Sequence, residues 1–344
     1  MSKIRNENKL MSILSIWGIL LVVLGHSGFE EEIIQQHLHY LHSWIYSFHM
    51  PLFFLVSGFL YSLTNTDFLE IKPLNFLKKK AVRLLIPYLI LGVVLFCIKF
   101  AFSNLSHASR VFSVTSFFAM FINTGYPGST MGYLWYVFTL FMIFVVVSLF
   151  GIFKINLKNS IICISLIFVF WSAYYLLPNT EWMNISMVCR YIPYFLAGIL
   201  FERHKNVIDK ALQGGASIVI LLIATLLTLL LTFNSLSCPK YFIEPLRAIV
   251  GIIMSVELCA ILLKSNWVSN KILPYSKYTY SIYLLSWFGQ YAVKILFVNV
   301  LHLHWIIVVV SMFLAGILFP IAICNIVNKV SFLNNNKIRV IIGY

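Results

Sequence analysis

Charge is scarce in this sequence. Of its 344 residues, 10% are charged and 60% are hydrophobic, whereas a soluble domain carries about 25% charged residues. A soluble fold of this length has no means of hiding so much apolar side chain, so the class is excluded. Paired cysteines are also missing. The six (Cys97, Cys163, Cys189, Cys238, Cys259, Cys324) are scattered with no C-x-x-C spacing, and they read as small core hydrophobes rather than as a redox or metal framework. No His-x-Glu-x-x-His spacing occurs, so no metal site is expected, and no G-x-S-x-G elbow supports a serine hydrolase. Acidic residues number 11 against 25 Lys and Arg, a formal net charge of +14. That excess would suit nucleic acid only if it formed a basic face on a soluble domain.

Long apolar runs are abundant. Windows of about 19 residues give ten spans near 11–29, 42–63, 84–103, 132–153, 159–177, 187–202, 213–233, 243–263, 277–297 and 304–327. Most approach the roughly 20 residues that a crossing helix needs. The apolar segment 111–122 is too short to cross and is read as interfacial or re-entrant. The fold class is therefore an all-α polytopic membrane protein of about ten helices. Residues 1–330 form a single transmembrane domain and 331–344 a short cytoplasmic tail. No cleavage pattern follows Val23, so the first run is expected to be retained rather than removed as a signal peptide.

The basic residues test this count independently. With the amino terminus inside, nineteen of the 25 fall in inner segments, including Lys3, Arg5, Lys9, Lys72, Lys78, Lys79, Lys80, Arg83, Lys154 and Lys158. Lys99, Arg110, Arg190, Lys240, Arg247 and Lys294 fall in outer loops or within spans. This is the positive-inside pattern with both termini cytoplasmic. A lipid bilayer thus accounts for the charge, and no nucleic-acid partner is needed. Abundant Lys, Asn and Ile point to an AT-rich bacterial genome, and the expected location is the bacterial cytoplasmic membrane, crossed several times.

Ionisable groups inside a bilayer need partners and mark functional candidates. His26 ends the first span, roughly 25 Å from Lys9 at 1.5 Å per residue, and faces the outer side; the plainer reading is a histidine among headgroups. His49 enters the second span at comparable depth, two residues before Pro51. The proline removes a backbone donor and leaves carbonyls free to line a cavity, or simply marks a packing kink. An imidazole titrating near neutral pH suits proton transfer at either position. His37, His39 and His42 form an outer-loop cluster, read as a solvated face. Arg190 lies near an outer helix end. Glu257 lies mid-span, and Arg190 and Glu257 either orient a histidine, grip a sugar or join an interhelical ion pair.

Residues 18–27 (GILLVVLGHS) and 46–60 (YSFHMPLFFLVSGFL) resemble the opening of the acyltransferase 3 family, the second being most similar to its fucose 4-O-acetylase branch. Further matching segments follow in order at 80–88 (KAVRLLIPY), 134–136 (LWY), 190–198 (RYIPYFLAG) and 280–285 (YSIYLL). The resemblance implies a ten-helix enzyme that moves an acyl group, usually acetyl from acetyl-CoA, onto a hydroxyl of a surface glycan or its lipid-linked precursor, with acyl-CoA as co-substrate and no bound cofactor. It implies that His26 is the essential histidine. Lys80 and Arg83 match the family's R-x-x-R element, with lysine in the first place; the charge is kept and the bidentate fork lost. The pair suits acyl-CoA phosphates on the cytoplasmic side, and an ordinary positive-inside flank would look the same. Ser15 stands where many members carry Arg or Lys, and Ser286 where histidine is often found. A transporter or flippase for lipid-linked glycans would share the helices and buried charges and differs in needing no acyl-CoA.

Overall fold

The computed structural model describes residues 2–28, 31–64, 73–101, 113–124, 131–180, 182–233 and 239–344, with all their side chains except those of 2–8 and 213. Lys72, Arg110 and Cys238 lie outside the described residues, as do the ends of the predicted segments 11–29, 84–103 and 111–122 and the side chains of Lys3 and Arg5. No strand occurs among the described residues. In chain order the α-helices are α1 (Ser2–Gly25), α2 (Glu32–Thr64), α3 (Pro73–Ala101), α4 (Val114–Ile122), α5 (Trp135–Ile152), α6 (Ser160–Leu176) and α7 (Ile185–Arg203). There follow α8 (Lys205–Gln213), α9 (Ser217–Phe233), α10 (Lys240–Leu263), α11 (Thr279–Lys294), α12 (Trp305–Lys329) and α13 (Asn336–Ile341).

Helices are what a bilayer permits, because each backbone donor finds its acceptor within its own segment. Seven of the described helical runs are long and apolar enough to cross a membrane, or eight if the bent pair α8–α9 is one span. Lys9–Gly25 and Ser160–Leu176 are apolar but shorter. Outward faces suit lipid: along α9, Ile218, Leu222, Leu226 and Leu230 are exposed at helical spacing. The predicted short segment at 111–122 contains α4, nine residues opened by a capping box in which Ser113 and Ser116 satisfy each other's backbone donors. Two rings attach it to α3, Phe117 to Phe96 at 5.1 Å and Phe121 to Tyr88 at 6.1 Å.

The chain forms two compact units, Met1–Leu63 with Gly198–Cys324, and Thr64–Ala197 with Asn325–Tyr344. In the first, α1 packs against α10, α11 and the 3₁₀ turn Leu273–Tyr278. Glycines set these approaches, as expected where lipid supplies no hydrophobic drive and close packing must hold helices together. A Cβ on Gly18 would meet the Phe53 ring at 3.0 Å, and one on Gly25 would meet Tyr46 at 2.9 Å. These glycines are seven residues apart on α1, and their partners are seven apart on the antiparallel α2. On the other side of α2, Phe48 seats on Gly251 of α10, and the α2 backbone at Leu55 lies against Gly198. Phe48 is fully buried with Leu21, Ile45, Val250 and Met254 around it.

In the second unit, α3 packs against α5, and α13, within 331–344, packs against α3. Arg339 of α13 donates to Asn328 Oδ1 at 2.9 Å. The chain turns into α7 through Met183 and Asn184, both left-handed at φ 50° and 54°. Asn184 offsets that strain by donating to Thr124 Oγ1 (2.5 Å) and Thr139 Oγ1 (3.1 Å), all three side chains being buried.

Candidate active site

His26 follows the last residue of α1, its N–H still bonded to the Val22 carbonyl at 3.1 Å, and its side chain is exposed. Two features fix the backbone on which it stands. The chain reverses at Gly28, whose φ of +85° favours glycine, and the Gly28 N–H donates to the His26 carbonyl at 3.0 Å. From α11, the buried Gln290 amide donates to the Val23 carbonyl (2.8 Å) and to Ser27 Oγ (3.1 Å). Ser27 Oγ itself donates to Val23 O at 2.7 Å.

Around His26 the histidines gather on one ring. Tyr46 of α2 lies edge-on to His26 at 6.1 Å between centroids, beside His42 at 3.9 Å and edge-on to His49 at 4.8 Å. Its hydroxyl donates to the Gly25 carbonyl at 3.4 Å. His49 is 2% exposed. Its Nδ1 sits 2.8 Å from the Ile45 carbonyl, and since a carbonyl can only accept, Nδ1 carries a proton. Tyr46 lies within the 46–60 segment and carries no role in the sequence pattern alone. The signal was present, because His42, Tyr46 and His49 are four and three residues apart, neighbours on one helical face. His37, His39 and His42 also differ from expectation: α2 begins at Glu32, so they are helical and not in a loop. His37 stacks on Trp305 at 4.8 Å. Among the described residues no three His, Cys, Asp or Glu side chains come together as a metal would require.

Beside His26 is a small cavity of about 40 Å³, walled by Gln290, Trp287, Tyr291, Lys294 and Met312 with Gly28 at its edge. Trp287 and Tyr291 stack at 4.4 Å with their planes 15° apart. Lys294 is held by Glu31 at 2.7 Å. Below Lys294 the helix widens into a π-helical stretch, Ile295–Val300, a geometry that occurs often beside functional sites. An exposed imidazole, a fixed amide, an aromatic wall and a balanced ion pair thus share one cavity.

The family model of the acyltransferase domain, acyltransferase 3, matches residues 12–324 of this chain. The chain belongs to the acyltransferase 3 family. None of the curated proteins matches it, and none of the solved structures does. The family makes the chain a multi-pass membrane acyltransferase.

The other residues singled out in this acyltransferase lie elsewhere. Glu257 is buried in α10 and accepts from Ser217 Oγ of α9 at 2.5 Å. Trp17 Nε1 donates to Ser255 Oγ at 3.2 Å, which sets that level of α10 beside a point on α1 roughly 14 Å short of His26 at 1.5 Å per residue. Lys80, Arg83 and Arg190 belong to the second unit. The Lys80 ammonium lies over the rings of Phe76 (5.2 Å) and Phe144 (4.5 Å), while Arg83 is exposed one turn on. Arg190 lies over Tyr174 and Tyr191 at 5.4 and 5.6 Å, with Trp135 5.1 Å from Tyr191. Ser15 is bonded to its own helix, donating to Met11 O at 2.7 Å, and Ser286 is buried.

Proposed function

We propose that this acyltransferase moves an acyl group, acetyl in the first instance, from acyl-CoA to a hydroxyl of a cell-surface polysaccharide or its lipid-linked precursor in a bacterial cytoplasmic membrane. The supporting observation is His26, exposed at the lip of a cavity in a chain whose family is one of acyltransferases. The likeness of residues 46–60 to the fucose 4-O-acetylase branch makes acetyl the expected group. In the proposed reaction acyl-CoA docks from the cytoplasmic side with its thioester directed up a polar route between helices, and His26 takes the proton from the acceptor hydroxyl as its oxygen attacks the thioester carbonyl. The tetrahedral intermediate collapses with cleavage of the carbon–sulfur bond, and the imidazolium returns the proton to the departing thiolate. The products are the O-acyl sugar and free CoA thiol. No bound cofactor takes part.

Lys80 and Arg83 are proposed to meet the phosphates of acyl-CoA. Arg83 is exposed, and the Lys80 side chain, held over Phe76 and Phe144, precedes it by one turn. Arg190 is proposed to meet the acceptor from its aromatic setting, and Glu257 to hold α9 to α10. His49 positions rather than reacts: its Nδ1 proton is given to Ile45, and its ring braces Tyr46 against His26.

The acetyl content of the surface polysaccharide, read by proton NMR in cells lacking the chain and complemented with wild type or His26→Ala at equal membrane levels, tests this reading. Acetyl signal restored by wild type and not by His26→Ala is the expected result. Unchanged acetylation with altered glycan export would replace it with a transporter. A His26-dependent acyl adduct trapped during turnover would replace direct transfer with a two-step relay through the imidazole.

A further inference from the structure

The amide of Gln290 can face only one way. One of its two polar atoms lies 2.8 Å from the Val23 carbonyl, which only accepts, so that atom is the nitrogen. The same nitrogen gives its second proton to Ser27 Oγ, whose own proton is on Val23 O. Both amide donors are therefore used, and Oε1 accepts no hydrogen bond among the described residues. The side chain is 3% exposed and packs closely over Gly316. Yet it lines the cavity beside His26. An amide oxygen with both its amide protons already committed, on the wall of a cavity, is open to a donor that a ligand brings.

The rest of the wall narrows the class of that ligand. Trp287 and Tyr291 present stacked aromatic surface, which suits the C–H face of a pyranose as well as it suits any apolar group. The Lys294 charge is balanced by Glu31, so the cavity makes no demand for an anion. A volume near 40 Å³ exceeds the roughly 10–15 Å³ that one water needs and falls far short of a whole sugar ring. It holds an edge.

We propose that this cavity is the acceptor subsite, and that it takes an edge of an uncharged pyranoside carrying two neighbouring hydroxyls, one directed at His26 and the other donating to Gln290 Oε1 against the Trp287–Tyr291 wall. The proposal rests on the acyltransferase reading of His26. Gln290 is then both a positioning residue for the turn bearing His26 and a specificity residue: a sugar lacking the second hydroxyl forgoes the hydrogen bond to Oε1.

The test uses full-length protein in detergent, labelled acetyl-CoA, and unacylated surface glycan extracted from cells lacking the chain. Transfer by wild type and its loss in His26→Ala establish the reading beneath; absence of transfer by wild type, or activity in His26→Ala, overturns that reading and the subsite with it. With the reading in place, Gln290→Ala and Trp287→Ala are expected to raise the glycan concentration for half-maximal rate by about tenfold, the scale of one lost buried hydrogen bond or contact. The acetyl-CoA concentration for half-maximal rate is expected to stay within about twofold, and Trp287→Phe to recover most of the glycan response. Unchanged glycan dependence in both variants, or equal changes for glycan and acetyl-CoA, would overturn the subsite while leaving the acyltransferase standing. Should Gln290→Ala not accumulate, Trp287→Ala with its phenylalanine partner carries the test alone.

Discussion

Glu257 illustrates how a single residue can be located by sequence and yet misjudged in company. An ionisable side chain at a helix centre costs about 2.5–3.5 kcal/mol on insertion scales, so a partner was required, and arginine or histidine was the natural expectation. The partner is a hydroxyl, Ser217, which sequence cannot nominate because serine carries no such obligation and lies 40 positions away. Two predictions follow at this scale. Ser217→Ala leaves a buried carboxyl oxygen without its donor and should lower stability by about 1–3 kcal/mol, seen as an earlier thermal transition in detergent, while Glu257→Gln keeps an acceptor oxygen and should cost less. Both variants should retain the wild-type dependence on acetyl-CoA, since Glu257 is distant along the helices from His26. Tyr46 differs in that its ring touches three histidines. Tyr46→Phe keeps those ring contacts and should retain most transfer activity, whereas Tyr46→Ala should lose about tenfold or more through misplacement of His26, measured as acetyl transfer at equal protein level.

Elements were legible wherever the bilayer dictated them. Each of the ten apolar segments read from hydropathy overlaps a described helix, and seven of the helical runs, or eight with the bent pair, are long and apolar enough to cross, the properties a membrane selects. What hydropathy could not show is where a helix continues into polar sequence, so α2 starts at Glu32, ten residues before its apolar part. Nor does it show which glycines matter. Gly198 stands against the α2 backbone at Leu55 and Phe59, with no flexible side chain between to yield, whereas nothing lies within 4 Å of a Cβ on Gly215. Gly198→Leu should therefore separate α7 from α2 and leave little folded protein, and Gly215→Ala should accumulate normally. Fluorescence-detected size exclusion of membrane extracts reads both. A sharp, full-height peak for Gly198→Leu would mean that this backbone contact does not hold the helices together. Gly18 and Gly25 were the readable case, since their seven-residue spacing mirrors that of Phe53 and Tyr46.

At the scale of the whole molecule, which side of the membrane each loop occupies turns on α4. If the segment containing α4 does not cross, the basic residues of the chain collect on one side of the membrane, and Lys158 and Thr180, which flank α6, lie inside and outside respectively. If it crosses, every later assignment inverts and the charge pattern loses its sense. Nine residues at 1.5 Å each span roughly 14 Å, about half of the 30 Å hydrocarbon core, and Val114, Phe118 and Ile122 are exposed along one face. A helix of this kind suits the interface better than a crossing. Single cysteines placed at Lys158 and at Thr180 in a cysteine-free chain decide the matter: in intact cells a membrane-impermeant maleimide should label Thr180→Cys and spare Lys158→Cys until the membrane is opened. The reverse pattern would make α4 part of a crossing and move the amino terminus of α6 to the outer side. It would also separate the proposed acyl-CoA partners Lys80 and Arg83, which precede α4, from the basic residues that follow it.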